Sequence, residues 1–148
     1  MVRILIMGLP GSGKTTLATE LSNQLGAHHL NADEIRKEYN DWDFSELGRL
    51  RQAERMRRLA DLSSSYYVVA DFVAPTSKLR RVYDPDILIW MDTVHSSRYE
   101  DTDKIFKPPT IWDYRVTEFD SEKWANIVAT NLNQLQQHLK FSLDNTIT

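Results

Sequence analysis

Cysteine is absent from the chain, which excludes disulfide frameworks and thiolate metal sites. Long apolar runs are missing too, and the longest is far too short to span a bilayer. The opening "MVRILIMG" pairs a basic residue with an apolar run, as a signal peptide does. It leads straight into a glycine loop without a small-residue cleavage site, so it reads as a strand. A soluble, cytoplasmic protein is expected. Positive charge is not in surplus: 18 Lys and Arg face 21 Asp and Glu, for a net charge of -3. No general pull on nucleic acid follows, and any polyanion site must be local, the candidate being the cluster Arg49, Arg51, Arg55, Arg57 and Arg58. Internal repeats, low-complexity tracts and linkers are also lacking. A chain of 148 residues suits one domain over 1–148, with a core burying roughly 70% of the unfolded surface.

What is present is an alternation. Apolar, β-branched runs at Val2 to Met7, Tyr66 to Ala70 and Ile87 to Met91 are bounded by Gly, Pro or Asp and read as buried parallel strands. Short strands at His28 to Leu30 and near Tyr114 to Phe119 complete a set of five. Helical patterns lie between them at Lys14 to Leu25, Ser45 to Ser63, Thr76 to Tyr83 and Ser121 to Phe141. The last places Trp124, Ile127, Val128, Leu132, Leu135 and Leu139 on one face. Strand alternating with helix predicts an α/β fold of three layers with a five-stranded, mostly parallel sheet. Tyr99 to Asp113, with Pro108 and Pro109 inside it, is too long for an ordinary connection and is expected to be a lid-like flap, at about 98–113.

Gly8-Leu9-Pro10-Gly11-Ser12-Gly13-Lys14-Thr15 fits G-x-x-x-x-G-K-[ST] at every fixed position, after a strand and at the start of a helix, as that motif requires. Such a loop wraps backbone N–H groups of Gly8, Gly11, Ser12 and Gly13 around the phosphates of a nucleotide. Lys14 bridges phosphate oxygens and the Thr15 hydroxyl joins the shell of Mg²⁺. ATP and Mg²⁺ are the cofactors expected. Thr16 follows at the edge of this set, where a helix role outweighs a ligand role.

One helix later comes "LNADEIR". The end of a second strand in this architecture faces the γ-phosphate across the cleft. Asp33 and Arg36 are three apart and share a helical face. Asp33 is placed to accept a proton from an acceptor hydroxyl, and Arg36 to clamp an anionic group. Asn31 or Asp33 followed by Glu34 also reads as a helix N-cap, a role compatible with the first. Arg49 falls within the apolar stripe Leu50, Ala53, Met56 and Ala60, so it points inward, where an arginine needs an anion. Arg51, Arg55 and Arg58 fall on the opposite face and read as solvated. His28 and His29 alternate across a strand and do not suit one metal, and Trp90 reads as core or a strand-end residue.

The ordered set GLPGSGKTTLA, LNADEIR, FS with Arg49 four residues on, RRLADL, DFVAP and WMDT resembles the adenylylsulfate kinase family of P-loop kinases, over residues 4 to about 93. The resemblance implies an ATP-dependent phosphotransferase of sulfate assimilation acting on the 3′-hydroxyl of adenosine 5′-phosphosulfate. It implies an acceptor role for Asp33 and Arg36, with Asn31 standing where the family has its first aspartate. It also implies that Phe44 stacks on the substrate adenine and that Arg49 binds its anionic end. Phe72 is kept in the turn after the third strand, while Asp71 replaces a serine and takes a metal-water role of the Walker-B kind. Asp92, also after an apolar strand, falls in "MDT", which resembles the family's V-D-T, where the aspartate is mainly structural. In the shorter flap, Lys104, Phe106 and Lys107 correspond to lid residues, and Arg98 is the cation expected to meet the transferring phosphoryl group.

The expectation is a Mg-ATP-dependent kinase with a small nucleotide acceptor and a possible homodimeric state. A 5′-polynucleotide kinase is the alternative, because "NADEIR" also fits its N-x-D-x-x-R segment, although the acidic balance gives a nucleic-acid partner only modest support. A nucleotide-binding regulatory switch is the rival from another class.

Overall fold

In the computed structural model, which describes residues 1–147 and side chains as far as Asp144, all five strands pair in parallel. The chain runs β1 (Val2–Gly8), α1 (Lys14–Leu25), β2 (His28–Asn31), α2 (Ala32–Tyr39), α3 (Glu46–Asp61) and β3 (Tyr67–Asp71). It continues through α4 (Ser77–Tyr83), β4 (Ile87–Met91), α5 (Glu100–Ile105), β5 (Tyr114–Val116) and α6 (Ser121–Ile147). The strand order is β2-β3-β1-β4-β5. The order turns at β1, which lies between β3 and β4, so a crevice opens there at the carboxyl ends of the strands.

Side chains of each central strand alternate between two cores, as the period of two requires. Leu5, Met7, Val68, Ala70 and Trp90 face Ile35, Ala53, Met56, Leu79 and Tyr83 of α2, α3 and α4. Ile4, Ile6, Val69 and Ile89 face Leu17, Leu21, Ala125 and Val128 of α1 and α6. Three layers result, and strands buried on both faces explain the continuous apolar runs in the sequence.

Helix ends follow local chemistry. Asn31 caps α2 by accepting the Glu34 N–H at 2.9 Å, Ser45 caps α3 through Gly48 at 3.2 Å, and Thr76 caps α4 through Leu79 at 3.4 Å. The apolar face expected along α6 is buried only as far as Leu132. Leu135 and Leu139 are exposed, because the helix runs on past the end of α1. The flap is not irregular throughout: α5 occupies its first half, with Glu100, Asp101 and Asp103 in the first turn, where the helix dipole favours acids. Among the described residues no helix is long and apolar enough to cross a membrane.

Candidate active site

The crevice at the strand ends is a cleft of about 1190 Å³, lined from the glycine loop through α2 and α3 to the flap. That is just beyond the upper end of the few hundred to roughly 1,000 Å³ typical of a small-ligand site.

At one end β1 stops at Gly8 and α1 starts at Lys14. A Cβ on Gly8 would lie 2.6 Å from the Met91 carbonyl oxygen, so no larger residue fits this approach of loop to β4. Gly13 precedes α1 with φ of 93° and offers no side-chain cap. The first N–H groups of α1 therefore have no side-chain cap and await an anion. Pro10, Gly11, Gly13, Lys14, Thr15 and Thr16 line the cleft. Ser12 is fully buried behind the loop; its Oγ has no hydrogen-bond partner and its carbonyl accepts from Thr93 Oγ1 at 2.7 Å. Lys14 Nζ donates to the Leu9 carbonyl at 2.9 Å. Burial pushes the Lys14 amine down to about 8, against the opposing pull of Asp71 and Asp33. A half-buried ammonium in no ion pair among the described residues is poised for phosphate oxygens.

Asp71, at the end of β3, is buried and anchors a polar cluster. Parallel register places Asn31 of β2 beside it. Thr15 Oγ1 donates to Asp71 Oδ1 at 3.0 Å, and Asn31 Nδ2 donates to Thr15 Oγ1 and to Asp71 Oδ1, each at 3.1 Å. His29 donates from Nε2 to the other carboxylate oxygen. Hard oxygen donors from a hydroxyl and a strand-end carboxylate fit Mg²⁺, which keeps most of its water and takes the rest of its shell from phosphates. Thr15 would hold the ion directly and Asp71 through water; when bound, it neutralises charge on the phosphates. His29 escapes notice in the sequence because its partner lies far along the chain, and only the β2–β3 register brings the two together.

Asp33 lines the cleft, exposed on the first turn of α2, and its charge is felt at both Lys14 and Arg36. Arg36, one turn on, is 4% exposed, and its NH1 donates to the carbonyls of Asp41 at 2.9 Å and Asp43 at 3.1 Å. Its guanidinium also lines the cleft and sits 4.2 Å from the centre of the Phe44 ring. Arg36 thus shapes the 41–44 loop as well as the cleft wall. Arg49 points inward as its place in the stripe requires: it donates to the Phe44 carbonyl at 2.8 Å and to Thr102 Oγ1 on the flap at 3.1 Å. Burial holds both guanidinium groups below their usual range, opposed by Asp41 for Arg36 and by Asp101 for Arg49. Phe44 and Phe72 line the cleft; Phe72 is buried edge-on against Tyr83 at 5.8 Å.

Three expectations are corrected. Arg55 is not solvated: it is 6% exposed and bonded to Asp41 at 2.8 Å and Gln52 at 2.7 Å, because the loop after α2 folds over that face of α3. Lys104 lies outside the cleft, exposed and paired with Glu100 at 3.7 Å one helical turn away. Phe106 also lies outside the cleft: it packs on the core of the α2–α4 layer, with Arg80 5.7 Å from its ring centre. The flap is fixed there by Lys107, whose N–H donates to the Pro75 carbonyl at 2.8 Å and whose carbonyl accepts from Arg80. Arg98 does line the cleft, 5.1 Å from the Tyr99 ring centre and in no ion pair among the described residues. Asp92 is held by Arg115 at 2.6 Å and Trp90 is buried, both structural as expected.

Fold and loop together define a P-loop protein of the kinase-like α/β class. The AAA domain family profile matches residues 4–83, more than half of the chain, and the chain belongs to that family. No curated protein matches it in sequence. Among solved structures it is similar to the Mycobacterium tuberculosis APS kinase in complex with AMPPNP and APS, with a TM-score of 0.73 and 20% identity over 89% of this chain and 97% of that one. A Sinorhizobium meliloti gluconokinase has a TM-score of 0.63 and 17% identity over 95% and 97%. The Acinetobacter baumannii shikimate kinase in complex with shikimate has a TM-score of 0.63 and 19% identity over 95% of each chain. At these identities the likeness establishes the fold shared with kinases of differing acceptors.

Proposed function

We propose that this chain is a Mg-ATP-dependent kinase that transfers the γ-phosphoryl group to a hydroxyl of a small anionic nucleotide, the 3′-hydroxyl of adenosine 5′-phosphosulfate being the acceptor its ordered motifs favour. One observation carries the reading: a single cleft is lined by Lys14, Thr15 and Asp71, by Arg36 and Arg49 gathered around Phe44, and by Asp33, whose charge is felt at both Lys14 and Arg36. The loop binds the ATP phosphates. Asp33 receives the proton of the attacking hydroxyl, while Arg98, which lines the cleft at the start of the flap, meets charge on the transferring group. Arg36 and Arg49 hold the acceptor's anionic end. The flap covers the cleft and limits access of water, which keeps ATP hydrolysis slow. Glu100 and Asp101 on the flap also line the cleft, and their charge disfavours a polyanionic strand as acceptor.

The test is product identification by mass spectrometry and ³¹P NMR after incubation with Mg-ATP. Adenosine 5′-phosphosulfate, AMP, gluconate, shikimate and a 5′-hydroxyl oligonucleotide are supplied in parallel. A phosphorylated small nucleotide is expected and the oligonucleotide is expected to stay unchanged. Phosphorylation of the oligonucleotide alone would assign the site to a polynucleotide kinase, and ADP release without any phosphorylated acceptor would assign it to a regulatory switch.

A further inference from the structure

Between α2 and α3 the segment 41–44 does two things at once. Asp41 and Asp43 turn toward arginines: Asp41 accepts from Arg51 and Arg55, each at 2.8 Å, and Asp43 accepts from Arg51 at 3.1 Å. Arg36 ties down the backbone carbonyls of the same two residues. Trp42 and Phe44 turn the other way and line the cleft. Trp42 is 52% exposed and Phe44 50%. A large indole left half in water forgoes burial that stabilises a fold by roughly 25 cal/mol per Å² of apolar surface. Here it does so on a loop fixed by three arginines, Arg36, Arg51 and Arg55, not on a loose one. The resemblance to adenylylsulfate kinases accounts for Phe44 and says nothing of Trp42.

We infer that Trp42 is a specificity-determining residue of the acceptor site, a flat platform on which the base of a nucleotide acceptor packs while Arg36 and Arg49 take its anion. The inference rests on the kinase reading above and deepens it by selecting the acceptor class: a flat aromatic ring bearing an anionic group, in preference to a ringless or non-aromatic hydroxy acid. Stacking on an aromatic side chain is sequence-tolerant and strong enough to shift binding by roughly one to two orders of magnitude. The ion network gives the platform its position in advance, so little ordering is left for the acceptor to impose.

The experiment titrates the parent, Trp42→Phe and Trp42→Ala with AMP, and with gluconate as a ringless anion, reading tryptophan emission and calorimetric Kd, with Mg-ATP binding measured beside them. The chain has four tryptophans, so Trp42→Phe isolates the signal of this one. AMP is expected to change the emission of the parent and not of Trp42→Phe. Its Kd should weaken about tenfold or more in Trp42→Ala and less than about threefold in Trp42→Phe, with Mg-ATP affinity unmoved. Equal AMP affinity in parent and Trp42→Ala overturns the inference, as does an equal loss for gluconate or no AMP binding to the parent. In each of those cases the kinase reading stands if Mg-ATP still binds and another acceptor is phosphorylated; failure of the parent to bind Mg-ATP takes both down.

Discussion

The two ends of the cleft are built by different means. The nucleotide end is one short stretch of chain, Gly8 to Thr15, braced by a buried carboxylate at the end of an adjacent strand. The acceptor end is assembled from the 41–44 loop, α3 and the flap, and its aromatic residues are half exposed. Backbone N–H groups and a lysine can bind the phosphates of any nucleoside triphosphate, so an end of this kind needs only correct curvature. Under the proposed function the other end chooses among hydroxyl compounds, with side chains at the cleft surface whose identity can change at little cost to the core. Three kinase structures with differently named activities share this fold, as that division of labour implies.

The division can be broken at either end. The largest effect is expected at the nucleotide end: Lys14→Ala should fold normally by circular dichroism and slow phosphoryl transfer by about 10²-fold or more, since a charge facing the transition state is lost. Near-normal turnover would remove the loop from the chemistry. Asp33→Asn should lower acceptor-dependent turnover by about 10²-fold with ATP affinity unchanged, a split measured by kcat beside nucleotide Kd. Arg55→Leu strikes the acceptor end from outside the cleft. It removes one of the two arginines that hold the Asp41 carboxylate and so loosens the loop carrying Trp42, and should raise the acceptor KM roughly tenfold while the KM for ATP holds.

A pH titration sharpens the contrast further. Burial lowers Lys14 to about 8, so in the nucleotide-free protein the amine is charged below that pH and neutral above it. Phosphate binding needs the charged form. Nucleotide affinity should therefore be flat below pH 8 and fall about tenfold per pH unit above it, with proton uptake detectable by calorimetry in buffers of different ionisation heat. Affinity that stays level to pH 10 would contradict a depressed Lys14. The smallest effect belongs to Lys104→Ala, which should leave both KM values within about twofold, because this lysine sits outside the cleft on the solvent face of α5.

The same division decided what could be read from the sequence. Gly8 to Thr15 is contiguous, and every strand that supports it is an apolar run bounded by breakers, so fold, loop and the Asn31 cap were all legible. Asp71 was legible as a strand-end acid, whereas His29 was not, since nothing near it in the chain marks its partner. Arg55 was misread because helical periodicity separates the two faces of α3 without telling which is covered by a loop from α2. Lys104 and Phe106 were placed in the cleft by resemblance to a longer lid. In the shorter segment Lys104 falls one helical turn from Glu100 on the solvent face of α5, and Phe106, at the helix end, packs on the core. Trp42 gave no signal because an aromatic residue in a short loop has no periodicity from which to infer its surroundings.

The most direct test of a cleft that joins ATP to an acceptor hydroxyl at Asp33 is the rate of ADP release from Mg-ATP, with and without adenosine 5′-phosphosulfate or AMP, in the parent and in Asp33→Asn. Stimulation by a small nucleotide in the parent, lost in the variant while ATP still binds, is the expected result. Slow ADP release that no acceptor stimulates and that Asp33→Asn leaves unchanged would contradict it.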